Sequence, residues 1–410
     1  MVFSSINFLL IFFPIFFTCY YLTPNKYKNY TLLLGSLAFY FIGTINAPYH
    51  FVLLIACMLV DFVVGLGISR SKKHKKLLLV VGIVFHLIGL CTFKYAGFVI
   101  SELNRLSESF NFTANIILPI GISFYTFQGI SYLIDVYRGD IEAEESLLCY
   151  CVYISMFEQL IAGPIVTYGQ VQYDLHKRNI WLEDALKGLG IFIFGLGLKV
   201  LLANPLGKLW SQTLAIGFES ISTPLAWMGV AAYSFQLYFD FFDYSLMAIG
   251  MGKMLGFELP INFNHPYTSL TMTEFWRRWH ITLGSWFREY VYIPLGGSRR
   301  SVPRVILNLL IVWLLTGIWH GAGYNFMLWG FMLFCILVIE KFFIGKYLNA
   351  HPVIGHIYTV PARSSEPQPQ PALYPARREK VHKNRCTGNI CPTAKGSRPG
   401  KVPQTSAGRF

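Results

Sequence analysis

Apolar residues fall in runs of near-membrane length, separated by short polar links. The first run, residues 2–22, has no basic start and no small-residue cleavage site, so it reads as a retained span and not a signal peptide. Further runs follow at about 30–45, 49–68, 77–99, 116–136, 147–167, 185–203, 225–250, 305–320 and 324–345. Each is close to the roughly 20 residues that a helix needs to cross a bilayer. Several are short or broken by Gly and Pro, which predicts re-entrant or interfacial pieces among them. The pattern predicts an all-α, polytopic integral membrane protein of about ten apolar segments.

Composition agrees. The 410 residues are 54% hydrophobic and only 13% charged, against roughly 25% charged in soluble proteins. The net charge of +13 could point to nucleic acid, but its placement argues otherwise. From Pro361 onward there are ten Lys/Arg and two Asp/Glu, giving +8, and the preceding residues hold 24 − 19 = +5. Those charges sit in short links between apolar runs, as the positive-inside rule expects. The link SRSKKHKK (69–76) reads as a cytoplasmic loop, and counting back puts Lys26 and Lys28 inside and the N-terminus outside. Six of the eight cysteines lie in apolar runs as small hydrophobes, and Cys386 and Cys391 in the tail make no convincing metal site. No metal and no disulfide framework is expected.

Three stretches mix apolar residues with Pro, Gly and isolated polar groups. LPIGISFYTFQGISYLIDVYRG (118–139) carries Gln128 and Asp135, and EQLIAGPIVTY (158–168) carries Glu158 and Gln159. These read equally well as tightly packed helices or as irregular backbone lining a cavity. In 238–267, Asp240 and Asp243 lie three apart among aromatics, and the arginines after residue 276 are the expected partners for such acids.

The stretch Thr271–Gly323 is the most demanding to hold in an apolar chain, with two histidines and six arginines. Thr271 and Glu274 have capping-box spacing, so a helix is predicted to start there. Continued through Tyr290, it sets Phe275, Trp276, Trp279, Leu283, Trp286, Phe287 and Tyr290 on one face. Arg277, Arg278, Arg288 and Glu289 fall opposite, with Glu274 four before Arg278, as in a helix lying in the membrane interface. His280 falls at the edge of the aromatic face. From Arg304 to His320 is sixteen residues, about 24 Å of helix, which carries His320 beyond the midplane of a core about 30 Å thick. A lone buried histidine is commonly a hydrogen-bonded structural residue. Depth, the packing expected at Gly317, Gly321 and Gly323, and the arginine-rich approach favour function here. A neutral imidazole can take a proton from a hydroxyl that attacks an acyl carbon. No nucleophile elbow, metal-spaced histidine pair or phosphate loop is present in the sequence, so transfer assisted by one histidine is the simplest chemistry left.

At these residues the chain resembles the membrane-bound O-acyltransferase superfamily, in particular its bacterial branch of alginate O-acetyltransferases. FWRRWHITLGSWFREYVYIPLGG, GIWHGAGYNFMLWG, LPIGISFYTFQGISYLIDVYRG, QLIAGPIV and the opening MVFSSINFLL carry the resemblance, which covers about residues 1–358. It implies His320 as the catalytic histidine and His280 as the second of the pair. Trp276, Arg277, Arg278, Trp279, Trp319, Asp240 and Gln159 are the candidates for lining a tunnel or the substrate. It implies a transmembrane tunnel that meets an acyl thioester, acetyl-CoA or a carrier-bound equivalent, on the cytoplasmic side. The thioester is a co-substrate, and no bound cofactor is implied. It also implies an extracytoplasmic SGNH-type acetyltransferase partner and a cell-envelope polysaccharide acceptor, with the chain a multi-pass protein of the bacterial cytoplasmic (inner) membrane.

The chain departs from that pattern in three places. FFDYSLMAIG lacks the usual acid at Leu246 and gains Asp243, and Glu158 stands where the family usually has proline. The final fifty residues hold only 13 of the hydrophobic types and eight prolines. Residues 359–410 therefore read as a polar, basic tail unable to bury enough apolar surface to fold. The abrupt change near Thr359 is read as a shift of frame, which would carry instability or lost activity with it; a native basic tail lying on anionic lipid is the alternative. Two other functions fit parts of the same pattern. Transfer of D-alanyl or another acyl group to teichoic acid, lipid or protein keeps the chemistry and changes the cargo. A transporter or flippase would normally show internal repeats, and none is visible.

Overall fold

The computed structural model describes residues 2–106, 116–217 and 220–363, with side chains to residue 359. The described residues are helical, with no strand among them. After a π-helical turn at Phe8–Phe12 come α1 (Phe13–Leu22), α2 (Lys28–Gly43), α3 (Tyr49–Arg70), α4 (Lys75–Leu90) and α5 (Ala96–Leu106). The middle of the chain forms α6 (Ile122–Arg138), α7 (Leu147–Ser155), α8 (Phe157–Leu160), α9 (Tyr168–His176), α10 (Leu182–Leu198), α11 (Asn204–Ile216) and α12 (Thr223–Leu255). The last third holds α13 (Met272–Arg278), α14 (Ile281–Phe287), α15 (Val302–His320), α16 (Tyr324–Ile339), α17 (Gly345–Ala350) and α18 (Pro352–Arg363).

Five helices are long and apolar enough to cross a membrane: Tyr49–Arg70, Lys75–Leu106, Leu182–Ile216, Val302–His320 and Tyr324–Ala350. Three of these run through a π-helical turn, at Cys91–Tyr95, Lys199–Ala203 and Glu340–Ile344. Such a turn inserts one residue into the ladder and re-aims the side chains around it. Their outward faces are apolar, with Leu77, Val81, Ile193, Phe194, Leu201 and Phe343 exposed. Water would not tolerate that surface, whereas lipid favours it. The all-helical, multi-pass reading of the sequence is thus borne out.

The interruptions are as informative as the spans. The run 147–167 is not one helix: α7 ends at Ser155, α8 is a single turn, and 161–167 is irregular. That irregular backbone is enclosed by protein, with Ile165 and Val166 buried, which is where a bilayer protein can tolerate it. Gly121 starts α6 at φ 73, and a Cβ there would lie 2.3 Å from the carbonyl oxygen of Leu160. Only glycine satisfies both the backbone angle and the contact.

The interfacial helix expected to run from Thr271 through Tyr290 is broken in two. α13 ends at Arg278, Trp279 is extended, and His280 takes the left-handed conformation at φ 45 before α14 begins. The cause is tertiary: the backbone of 262–264 pairs with the break, Ile281 N–H donating to Asn262 O and Asn264 N–H to Arg278 O. The predicted start does hold, since Thr271 Oγ1 accepts from the Glu274 N–H at 3.1 Å. The Glu274–Arg278 pair is also present at 2.7 Å. A second cap comes from a distance. Glu340, buried where α16 passes into its π-helical turn, accepts from the backbone N–H groups of Met272 and Thr273 and from the Thr273 hydroxyl.

Candidate active site

His320 is the last residue of α15, and α15 packs on α16 at close range. A Cβ on Gly317 would lie 2.4 Å from the carbonyl oxygen of Phe326, and one on Gly330 the same distance from that of Trp313. Small residues at both crossing points let the backbones touch. The following Gly321 lies under the Phe326 ring, where a Cβ would be 2.1 Å from a ring carbon. The chain then turns back into α16, whose Trp329 stands edge-on to the His320 ring at 4.9 Å.

The end of α15 is capped from α4. The π-helical turn Cys91–Tyr95 presents Lys94, whose ammonium donates to the carbonyl oxygen of Trp319, and Tyr95, whose hydroxyl donates to that of Ile318 at 2.7 Å. Lys94 also reaches Ser123 Oγ at 3.4 Å and lies 5.3 Å from the Trp319 ring centre. The last carbonyls of a helix have no intrahelical donor and carry partial negative charge, so a cation and a hydroxyl answer both needs. Nothing in the local sequence around Lys94 marked it; the only available signal was a lysine inside a membrane-length run.

His280 comes to the same place from the α13–α14 break. Its ring lies 6.0 Å from that of Trp319, and Trp319 lies 4.9 Å from His320, so both imidazoles neighbour one indole. Phe241 covers His280 edge-on at 4.7 Å, and Phe127 stacks over Trp319 at 5.8 Å. The Nε2 atoms of His280 and His320 and the Nε1 atoms of Trp319 and Trp276 are buried without a protein partner among the described residues. Unsatisfied buried polar groups cost roughly 1–3 kcal/mol each. Here four of them sit on rings linked by contact through Trp319 and Trp329.

The remaining sequence candidates divide. Trp276 joins the site, packing on Trp313 at 5.2 Å and on Trp329 at 5.7 Å. Trp279 is buried in the cluster with Phe263 and Phe275 that supports it. Arg277 points outward and Arg278 is tied to Glu274 and Thr268, so the structure places neither beside the imidazoles. Gln159 is buried elsewhere, donating to the carbonyl of Tyr153 at 2.7 Å. Asp240 pairs with Lys199 from the π-helical turn at the end of α10, and not with the arginines after residue 276. Asp243 is buried, and no arginine reaches it either, one carboxylate oxygen having no partner among the described residues. Both departures from the expected pattern, Glu158 and Asp243, are thus fully buried acids. Among the described residues one cluster has metal-binding chemistry, Glu144, Cys149 and His176. Its carboxylate is already satisfied by Ser146 N–H, the Tyr168 hydroxyl and His176.

The described residues thus form a multi-helix membrane domain in which buried His280 and half-buried His320 both neighbour Trp319. The model of the membrane-bound O-acyltransferase family, MBOAT, matches residues 142–351, and the chain belongs to that family. It is similar to a protein of Pseudomonas aeruginosa described as probable alginate O-acetylase AlgI, 41% identical over 349 residues, which are 83% of this chain and 66% of that one. It is 36% identical over 369 residues to the peptidoglycan O-acetyltransferase of Helicobacter pylori, covering 81% of this chain and 69% of the relative. A more distant likeness, 26% over 242 residues, is to the teichoic acid D-alanyltransferase of Bacillus subtilis, covering 56% and 60%. The chain spans 66% of the length of the first of these, just under two thirds.

Proposed function

We propose that the protein is a membrane O-acetyltransferase that draws acetyl groups from a cytoplasmic thioester and delivers them for O-acetylation of an exported or cell-envelope polysaccharide such as alginate. The observation that carries this reading is the pair of histidines that neighbour Trp319, with their Nε2 atoms buried and unpartnered among the described residues, in a chain of this family. Neutral His320 takes the proton of the acceptor hydroxyl as its oxygen attacks the thioester carbonyl. The C–O bond forms, the C–S bond breaks, and the proton passes to the departing sulfur, so no net proton is consumed. His280, a neighbour of the same indole, orients the attacked group. The 41% and 36% identical relatives, named for O-acetyl transfer to alginate and to peptidoglycan, support acetyl over D-alanyl as cargo.

Sidedness supports a cytoplasmic donor. α4 and α15 both start beside basic links, at Lys72–Lys76 and Arg299–Arg304, and their far ends meet where Lys94 caps Trp319. Two helices that begin at positively charged links and converge there support a position for His320 deep in the bilayer as seen from the cytosol. A tunnel admitting acetyl-CoA or a carrier-bound acetyl thioester from that rim belongs to this reading. So do an extracytoplasmic SGNH-type partner and residence in the bacterial cytoplasmic membrane. Trp276 and Trp319 line the chamber; the exposed Arg277 meets lipid headgroups at its mouth.

The test is transfer of labelled acetyl from acetyl-CoA to polymer in membranes that hold the chain with its polysaccharide partner. His320→Ala is expected to abolish labelling at normal protein levels. Label that survives the substitution removes His320 from the chemistry, and glycan export without label favours a transporter.

A further inference from the structure

We infer that Asn262 is a positioning residue that fixes which ring nitrogen of His280 faces the reaction chamber. The inference rests on the role proposed for His280 and adds a group that no sequence motif marked. Asn262, in the loop between α12 and α13, is 1% exposed, and its side chain is the hub of a buried hydrogen-bond network. Thr282 N–H donates to Asn262 Oδ1 at 3.3 Å, the Thr282 hydroxyl approaches the same oxygen at 2.7 Å, and His280 Nδ1 at 3.3 Å.

The directions of these bonds follow from chemistry. A backbone N–H can only donate, so the amide atom it meets is the oxygen and the orientation of the amide is settled. Ile165 N–H donates to Thr282 Oγ1 at 3.0 Å, so the threonine hydroxyl has its own proton free for Asn262. With Oδ1 able only to accept, His280 Nδ1 carries the proton. Nε2 is then the lone-pair nitrogen, and it is the ring atom that is buried without a protein partner among the described residues. The other tautomer would set two acceptors face to face at Nδ1 and put a proton on Nε2.

The backbone repeats the same constraint. Residue 280 holds its left-handed conformation because Asn262 O accepts from Ile281 N–H, one residue past the histidine. Asn262 thus fixes ring and main chain together. Asn262 Oδ1 meets three donors while Nδ2 is buried without a protein partner among the described residues, and the histidine beside it is bonded only at Nδ1, which leaves Nε2 for chemistry.

The test uses the full-length protein in membranes with its partner and reads acetyl transfer per folded molecule, folding being scored by monodisperse detergent extraction. Asn262→Leu removes the acceptor and is expected to lower turnover about 100-fold with the apparent KM for acetyl-CoA unchanged. Asn262→Asp keeps an acceptor at the same point and is expected to stay within about tenfold of the parent. Thr282→Val breaks the neighbouring bonds and spares the histidine, so it costs stability with turnover within about threefold. Should the leucine variant fail to fold, Asn262→Ala is measured with the same expectation. The inference is overturned if the truncated variants keep parental turnover, if aspartate rescues nothing, or if Thr282→Val loses as much activity as Asn262→Leu. Parental turnover in His280→Ala is a separate result that removes the underlying role of His280.

Discussion

Adding one methyl group at Gly317 tests whether the site depends on how closely α15 and α16 approach. The Cβ of Gly317→Ala would lie 2.4 Å from Phe326 O and 3.3 Å from the Phe326 carbonyl carbon and the Cα of Gly330. A methyl carbon needs about 3.5 Å from such atoms, so the helices must part by about 1 Å. Flexible side chains cannot absorb the shift, because the clash is with backbone. The end of α15 cannot swing freely either, being tied by Lys94 and Tyr95 to the neighbouring π-helical turn. The displacement falls on His320, three residues on, and on its 4.9 Å contact with Trp329 of α16. Overpacking of this kind costs roughly 1–3 kcal/mol of stability, and a misplacement of about 1 Å at reacting groups costs about 100-fold in rate. The assay is initial acetyl transfer per extracted, monodisperse protein. The control is Gly197→Ala on α10, where a Cβ meets nothing within 4 Å; that change should leave transfer intact and favour the helix by up to about 1 kcal/mol. Normal turnover in Gly317→Ala at normal yield would refute the claim that helix contact sets the position of His320.

Two further changes probe the supports of the site. Lys94→Met leaves the Trp319 carbonyl without its donor and should lower transfer more than tenfold, with Lys94→Arg recovering most of it; parental activity in Lys94→Met would show that the cap is dispensable. Glu340→Ala uncaps α13 and should cost about 1–2 kcal/mol of thermal stability, with Glu340→Gln losing less because its amide oxygen still accepts. A melting point unchanged in the alanine variant would show that the distant carboxylate does not hold the start of α13.

Much of the architecture was legible from periodicity. A bilayer leaves a chain few options, so apolar runs of sufficient length become helices, and five of the ten runs stand in helices able to cross. The capping spacing at Thr271 and Glu274 and the pair Glu274–Arg278 also followed, because both depend on neighbours three and four residues apart. The two histidines stood out by the cost of holding them in oil. The reading of the basic tail beyond residue 363 falls outside the described residues, while Thr359 at its proposed start is buried and bonded to Ser269 O.

What the sequence could not give is decided by groups far apart in the chain. The continuous interfacial helix failed at Trp279 and His280 because the loop at 262–264 offers hydrogen bonds that helical spacing does not encode. Asp240 found Lys199 and not an arginine because the lysine opening the π-helical turn after α10 packs against α12. Lys94, Tyr95 and Asn262 carry no motif; they matter only because folding sets them against the last carbonyls of α15 and the ring of His280. Local pattern and the solvent determined that this chain is helical, spans a membrane and keeps two histidines within it. Only tertiary packing brought His280 to the neighbouring Trp319 and His320, since register between helices is set by side-chain contact and not by sequence distance.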